Sequence, residues 1–348
     1  MSRSIVNTNT YPWLFNASET ISTKANGDTK DIEVKIPKCR GKIPSLQASR
    51  LRSMMLEAHA DPAKILAFVC SYDALSSKLC EEAGFPALFL AGYPMASSLA
   101  LPDTGYIAFQ EVVGKVQETA RATNVPILVD GDTGYGGPMN VRRTVEGFAH
   151  AGAAGIMIED QVWPKRCGHT QGKNVVSRGE AYARWRAAVD ARNEGLDIWI
   201  MARTDSLILG YDEAITRAKA AIEIGVDCIF VEALPDRESM VRLRNDLAGI
   251  PIFSNIIEGG KTENLSAKDL GEMGYCAVAY PWTLVAAKLK SIRETLEAIK
   301  GSFLVGKPPT VLSYAEVCDG VGFNKYYELE ERYQFEGSMT GSKGFQFN

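Results

Sequence analysis

Eight short apolar runs, each followed by a longer stretch of helical spacing, constrain this chain more than any other feature. They fall at 65–70, 87–91, 127–130, 155–159, 198–202, 228–232, 252–255 and 277–280. The intervening stretches read as helices. The one over 212–224 is apolar at helical spacing and stops at Gly225, as a left-handed cap would. Strand then helix, eight times over 348 residues, predicts an α/β fold of the (β/α)8 TIM barrel type. A doubly wound open sheet is the alternative, but no GxGxxG opens a helix after the first strand.

Barrel enzymes place their chemistry at the carboxyl ends of the strands. Here those ends read Ser71-Tyr72-Asp73, Gly92-Tyr93, Asp130 with Asp132, Glu159 with Asp160, Arg203-Thr204-Asp205, Glu232, Asn255 with Glu258, and Pro281. Asp130, Asp132, Glu159 and Asp160 repeat a carboxylate pair at two successive strand ends. Hard oxygen donors of this kind suit Mg²⁺, with Mn²⁺ as the alternative ion. The competing reading is a turn in which Asp130 and Asp132 cap neighbouring amides. Arg203 ends a central strand and has the planar fork to clamp a substrate carboxylate, or to pair with Asp205 or Glu232, or both.

A second cluster follows directly. Lys165, Arg166, Cys167, Gly168 and His169 place a thiol between two cations and a histidine. Nearby positive charge favours a thiolate, so Cys167 is expected to be tuned toward neutrality and able to exchange a proton with a substrate. The competing reading is a buried inert cysteine. His169 reads as a contact for a substrate carboxylate, a proton relay or a helix cap, and Asn255 as a pocket residue or a turn residue.

Composition excludes other classes. A formal charge of -4 without a basic stripe or zinc-finger spacing argues against a nucleic-acid binder. Seven cysteines (Cys39, Cys70, Cys80, Cys167, Cys228, Cys276, Cys318) without CxxC spacing suggest reduced thiols and an intracellular, cytoplasmic protein. The longest apolar run, near residue 63 to 70, is strand-sized, so no membrane span is expected. Residues 1–50 read as a partly disordered extension without a secretory signal, a mitochondrial presequence being the alternative. Residues 51–335 read as the barrel with its C-terminal helices, and 336–348 as a flexible tail.

Together, Asp130-Gly-Asp-Thr-Gly-Tyr-Gly, Glu159-Asp-Gln, Lys165-Arg-Cys-Gly-His169, Ala202-Arg-Thr-Asp205 and Asn255 with Glu258-Gly-Gly260 resemble the isocitrate lyase and phosphoenolpyruvate mutase superfamily, over roughly 51 to 333. The cysteine loop resembles its carbon–carbon lyase and oxaloacetate hydrolase branches. The resemblance implies a Mg²⁺-dependent barrel, its eighth helix swapped with a neighbour in a homotetrameric dimer of dimers. Asp130, Asp132 and Glu159 would hold the metal, with Asp103 near it. Cys167 would donate or accept the proton from a loop that closes over substrate, with Lys165, Arg166, His169 and Glu232 in the catalytic group and Gly168 against the substrate. Arg203, His169, Glu232 and Asn255 would contact substrate or the catalytic machinery, while Gly92 and Tyr93 line the pocket. The expected activity is cleavage of a substituted malate into an α-keto acid and a carboxylic acid. Oxaloacetate acetylhydrolase, methylisocitrate lyase and a catalytically silent metabolite-binding barrel are the alternatives. Ile257 stands where tricarboxylate lyases carry a hydroxyl residue, and Glu263 stands where relatives have proline; the extension through about Ser49 has no counterpart.

Overall fold

The computed structural model describes residues 19–21, 34–36 and 39–335, apart from 171 and 261. Most of the extension expected over 1–50, and the tail expected from 336, lie outside the described residues. The chain divides into two compact units, Met1–Ala286 and Ala287–Asn348.

In the first unit eight parallel strands close a barrel. They are β1 (Leu66–Ser71), β2 (Leu88–Leu90), β3 (Ile127–Asp130), β4 (Gly155–Glu159), β5 (Trp199–Thr204), β6 (Cys228–Val231), β7 (Ile252–Asn255) and β8 (Ala277–Tyr280), which pairs back onto β1. This is the (β/α)8 barrel. The strand expected over 198–202 runs on to Thr204, because Arg203 and Thr204 stay in register with Phe230 and Val231 of β6.

Parallel strands in a barrel are covered on both faces, which is why these read as continuous apolar runs. Their side chains still alternate. Leu66, Phe68, Phe89, Leu128, Met157, Trp199, Met201, Phe230 and Phe253 fill the interior. Ile156, Ile158, Ile200, Ala202 and Ile229 instead pack outward against the helices. Phe253 anchors the interior, with Phe68, Phe89 and Phe230 at ring-centroid distances of 5.9, 5.8 and 5.5 Å.

The helices are α1 (Leu46–Ala60), α2 (Ala74–Glu82), α3 (Gly92–Ser98), α4 (Phe109–Ala122), α5 (Pro138–Ala151), α6 (Arg178–Glu194), α7 (Tyr211–Ile224), α8 (Arg237–Asp246), α9 (Ala267–Met273), α10 (Thr283–Ser302), α11 (Tyr314–Val321) and α12 (Phe323–Arg332). In α7 the buried Ala214, Ile215, Ala218, Ala221 and Ile222 recur at helical spacing, and Gly225 ends the helix at φ 105°.

Helix α1 buries Leu51 and Met55 in the barrel interior, and Leu51 lies against the first residue of β4, so α1 covers the end opposite the strand carboxyl termini. An ion network lies at this end. Asp227 accepts from Arg40 at 2.5 Å, Arg192 at 2.7 Å and the Ile200 amide at 2.8 Å. Arg52 grips Asp197 with two bonds of 2.8 and 2.9 Å. Burial alone would raise the Asp227 pKa, but the three arginines outweigh it and hold it at about 2.

Helix α10 crosses the boundary into the second unit, where α11 and α12 also lie. Its Leu289, Ile292, Leu296 and Ile299 recur at helical spacing and are about half-exposed.

Candidate active site

Strand parity builds the site. Asp130, Glu159, Arg203, Glu232 and Asn255 each follow an inward-facing residue by two positions: Leu128, Met157, Met201, Phe230 and Phe253. Each polar side chain therefore stands one layer above the interior packing, at the carboxyl mouth of the barrel. Adjacent strands set them side by side, with Glu159 opposite Arg203 across β4 and β5.

A cleft of about 450 Å³ opens there. Phe89, Met157, Phe230 and Ala279 contribute apolar lining, and Tyr93, Ile257, Pro281 and Trp282 add more. Tyr93 and Trp282 stack with ring centroids 4.9 Å apart. The polar lining is Asp103, Asp130, Cys167, His169, Arg203, Glu232 and Asn255, with Gly92 and Gly168 beside them.

Arg203 is spent mainly on protein carboxylates. Its Nε and Nη2 donate to Asp205 at 2.9 and 3.1 Å, and the same edge meets Glu232 at 3.0 Å and Glu159 at 3.3 Å. Only Nη1 has no carboxylate partner among the described residues. The ion pair with Asp205 and Glu232, weighed against a substrate clamp on sequence grounds, is thus present. Lys173, which the sequence reading missed, supports the group by bonding Asp205 at 2.7 Å. Burial opposes ionisation of Asp205, yet Arg203 and Lys173 outweigh it and hold the carboxyl at about 2. Glu232 is likewise held below its ordinary value, because Arg203 and His169 outweigh the effect of burial. His169 Nε2 lies 3.2 Å from Glu232 Oε1.

On the other side stand Asp103, Asp130, Asp132, Glu159 and Lys165. The Lys165 ammonium pairs with Asp103 and lies 2.7 Å from Asp132 Oδ1. Asp130 accepts from the amides of Gly92 and Asp132, both at 3.0 Å. Gly92 permits this convergence: a Cβ there would sit 3.0 Å from Asp130 Oδ2 and from Lys165 Nζ, and 3.1 Å from Asp103 Oδ1. Burial raises Glu159 well above the ordinary carboxylate range and, against the pull of Lys165, lifts Asp132 to about 7.

Among the described residues no group of three His, Cys, Asp or Glu side chains stands in ready-made metal coordination. The donor set nevertheless fits a hard cation. Glu159 Oε1 is buried without a hydrogen bond, and Asp132 Oδ1 has the Lys165 ammonium beside it at 2.7 Å. Across the whole site six acids (Asp103, Asp130, Asp132, Glu159, Asp205, Glu232) face three fixed cations (Lys165, Lys173, Arg203). That excess of buried acids, with burial opposing ionisation of Glu159 and Asp132, is what a divalent ion would relieve by favouring their ionised forms.

Four expectations are corrected. Cys167 is not a stabilised thiolate: burial first, then the Asp103 carboxylate, push its pKa up to about 11. The flanking cations do not help it, since Lys165 is buried in the acidic nest. Arg166 is exposed, does not line the cleft, and so does not join the catalytic group. Asp160 faces away from Glu159, accepting from Thr204 at 2.7 Å, the Asp205 amide at 2.8 Å and Arg217 at 3.1 Å. Asp73 caps α2 through the Ser76 amide at 2.8 Å and stays outside the cleft.

A family model described as phosphoenolpyruvate phosphomutase matches residues 56–300. Among curated relatives, the chain is 36% identical over 266 residues to a 2,3-dimethylmalate lyase of Eubacterium barkeri, spanning 76% of this chain and 91% of that protein. It is 42% identical over 231 residues to a probable 2-methylisocitrate lyase of Corynebacterium glutamicum, spanning 66% and 75%. Among solved structures, an oxaloacetate acetylhydrolase in complex with the inhibitor 3,3-difluorooxalacetate superposes with a TM-score of 0.76 at 30% identity, covering 84% of this chain and 98% of that one. The chain is an enzyme of the phosphoenolpyruvate phosphomutase family, within the isocitrate lyase superfamily.

Proposed function

We propose that the enzyme is a carbon–carbon lyase that cleaves an alkyl-substituted malate into an α-keto acid and a carboxylic acid. The observation that carries this reading is the position of Cys167, lining a cleft that is acidic and arginine-bearing on one side and apolar on the other, where burial raises its pKa and favours the thiol. Apolar lining at Ile257, Trp282 and Phe230 suits an alkyl substituent.

Divalent-metal dependence is general in the superfamily. Asp130, Asp132 and Glu159, with Asp103 beside them, would hold Mg²⁺ or Mn²⁺. When bound, the ion supplies Lewis-acid stabilisation to the oxygens that become the α-keto acid. The protein's own groups do the rest. Arg203 Nη1 and Asn255 orient a substrate carboxylate. The Glu232–His169 pair, kept ionised on the Glu232 side, accepts the proton of the C2 hydroxyl. The C2–C3 bond then breaks, its electron pair passing into the enolate of the departing carboxylic acid. Cys167 donates its S–H proton to C3, and the closed loop keeps bulk water from competing.

Cys167→Ser tests this. Mg²⁺ and product binding should persist while turnover falls at least about a hundredfold, the scale of general acid catalysis. Unchanged turnover would remove Cys167 from the mechanism. A second reading, hydrolysis of oxaloacetate to oxalate and acetate through its hydrated ketone, is favoured by the similarity to the acetylhydrolase structure.

The apolar stripe of α10 supports a further part of the reading: the helix is exchanged between copies in a homotetramer, each covering the other's Leu289, Ile292, Leu296 and Ile299.

A further inference from the structure

Trp163 has no part in the mechanism above, yet it sits in the loop that carries Cys167 with 41% of its surface exposed. Its indole lies against Gly105: a Cβ built there would be 2.9 Å from Cη2 and 3.1 Å from Cζ2. Tyr135 packs beside it, ring centroids 6.2 Å apart. Gly105 belongs to the segment that supplies Asp103, so the indole joins that segment to the loop that supplies the thiol. Two residues later Lys165 makes a second tie, to Asp103.

The two halves of the Cys167 loop are held differently. Beyond the thiol, Gly168 packs on Glu232 and His169 packs on Gly260, so this half rests on the barrel mouth. Before the thiol, Gln161 braces the loop from within, donating to the Arg166 carbonyl at 2.9 Å and accepting from the Arg166 amide at 3.0 Å. That brace fixes the loop's shape and not its place over the cleft. At its base the loop is tied by the Gln161 carbonyl, which accepts from Arg184 at 2.8 Å, and by the Val162 amide on Asn174 at 2.9 Å; over the cleft its place is set by two side-chain ties, Trp163 on Gly105 and Lys165 on Asp103 and Asp132.

These two ties differ in kind. A buried ion pair loses much of its attraction to desolvation. A ring laid against a glycine backbone gains from burial and tolerates one registration only, since any side chain at 105 would lift it off.

We propose that Trp163 is a positioning residue: it seats the Cys167 loop on the Asp103 segment and so keeps the thiol and the acidic side of the site in one cleft. Only the kinetic arm of the test rests on the lyase reading.

The test compares the full-length enzyme with Trp163→Ala and Trp163→Phe. The first measurement is the rate at which iodoacetamide modifies Cys167 at fixed pH, followed by mass spectrometry of its peptide. Loss of the seat should expose the thiol and speed modification at least about tenfold in W163A, with W163F restoring most of the protection. The unfolding temperature should stay within about 2 °C of the parent, as for a surface substitution. With any alkylmalate that the parent cleaves, KM should rise at least about fivefold while kcat changes less than about threefold, as when a competent state becomes less populated. If the parent cleaves none, the modification rates still decide the matter. An equal modification rate in W163A and parent would overturn the proposal, as would faster modification accompanied by a large fall in unfolding temperature.

Discussion

A Cβ added to Gly168 would lie 2.3 Å from Cδ of Glu232. The loop bearing the thiol and the carboxylate that pairs with Arg203 and His169 are therefore in backbone contact, and neither can shift alone. Gly168→Ala should displace one of them by about an ångström. Turnover should fall on the order of a hundredfold, the usual cost of such a misplacement, with the unfolding temperature nearly unchanged. Steady-state kinetics beside calorimetry checks this, and parent-like turnover would show that the contact is not made in the working enzyme.

Cys167 should behave as a thiol rather than a thiolate. Burial and Asp103 raise its pKa to about 11, so at neutral pH it holds its proton and can give it to carbon. In the free enzyme, alkylation of Cys167 should keep accelerating above pH 9. A plateau reached below pH 8 would mean a stabilised thiolate.

At the other end of the barrel, Asp227 joins Arg40, Arg52 and Arg192. Asp227→Asn should cost about 3–5 kcal/mol, because the buried Arg52 and Arg192 and the part-buried Arg40 lose a shared counter-charge. The pH dependence has a defined sign. The folded-state pKa of about 2 lies below the ordinary 3.8, so the parent's contribution from this group is complete above about pH 4 and is lost as pH falls toward 2. Denaturant titrations of both proteins between pH 2 and 7 test it: the gap should narrow on acidification, and a constant gap would refute the assignment.

The strand ends were legible because the barrel's period of two is written in the residues themselves. Leu128 before Asp130, Met157 before Glu159, Phe230 before Glu232 and Phe253 before Asn255 put each polar group above an interior apolar one. Where side chains reach from loops, adjacency misled. Lys165 and Cys167 are near neighbours in sequence, but the ammonium enters the acidic nest and leaves the thiol buried, beside Asp103 and Glu232, which reverses the expected direction of its pKa. Spacing carried no signal for Lys173 on Asp205, or for Trp282 stacked on Tyr93, because each partner comes from a different loop.

Helix α10 offers a separate check on assembly. Replacing Ile292 and Leu296 by Glu places two charges in its apolar stripe. Light scattering after size exclusion should then show a species smaller than the parent, with the barrel's circular dichroism retained. An unchanged mass would show that this face does not hold copies together.

The central claim is carbon–carbon cleavage of an alkyl-substituted malate by Cys167 protonating the departing enolate. Its most direct measurement is an assay of the purified enzyme with Mg²⁺ against 2,3-dimethylmalate, 2-ethylmalate, methylisocitrate and oxaloacetate, with α-keto acids and oxalate detected separately. The predicted result is α-keto acid from an alkylmalate, faster than any oxalate from oxaloacetate; oxalate as the main product, or no product from any alkylmalate, would contradict it.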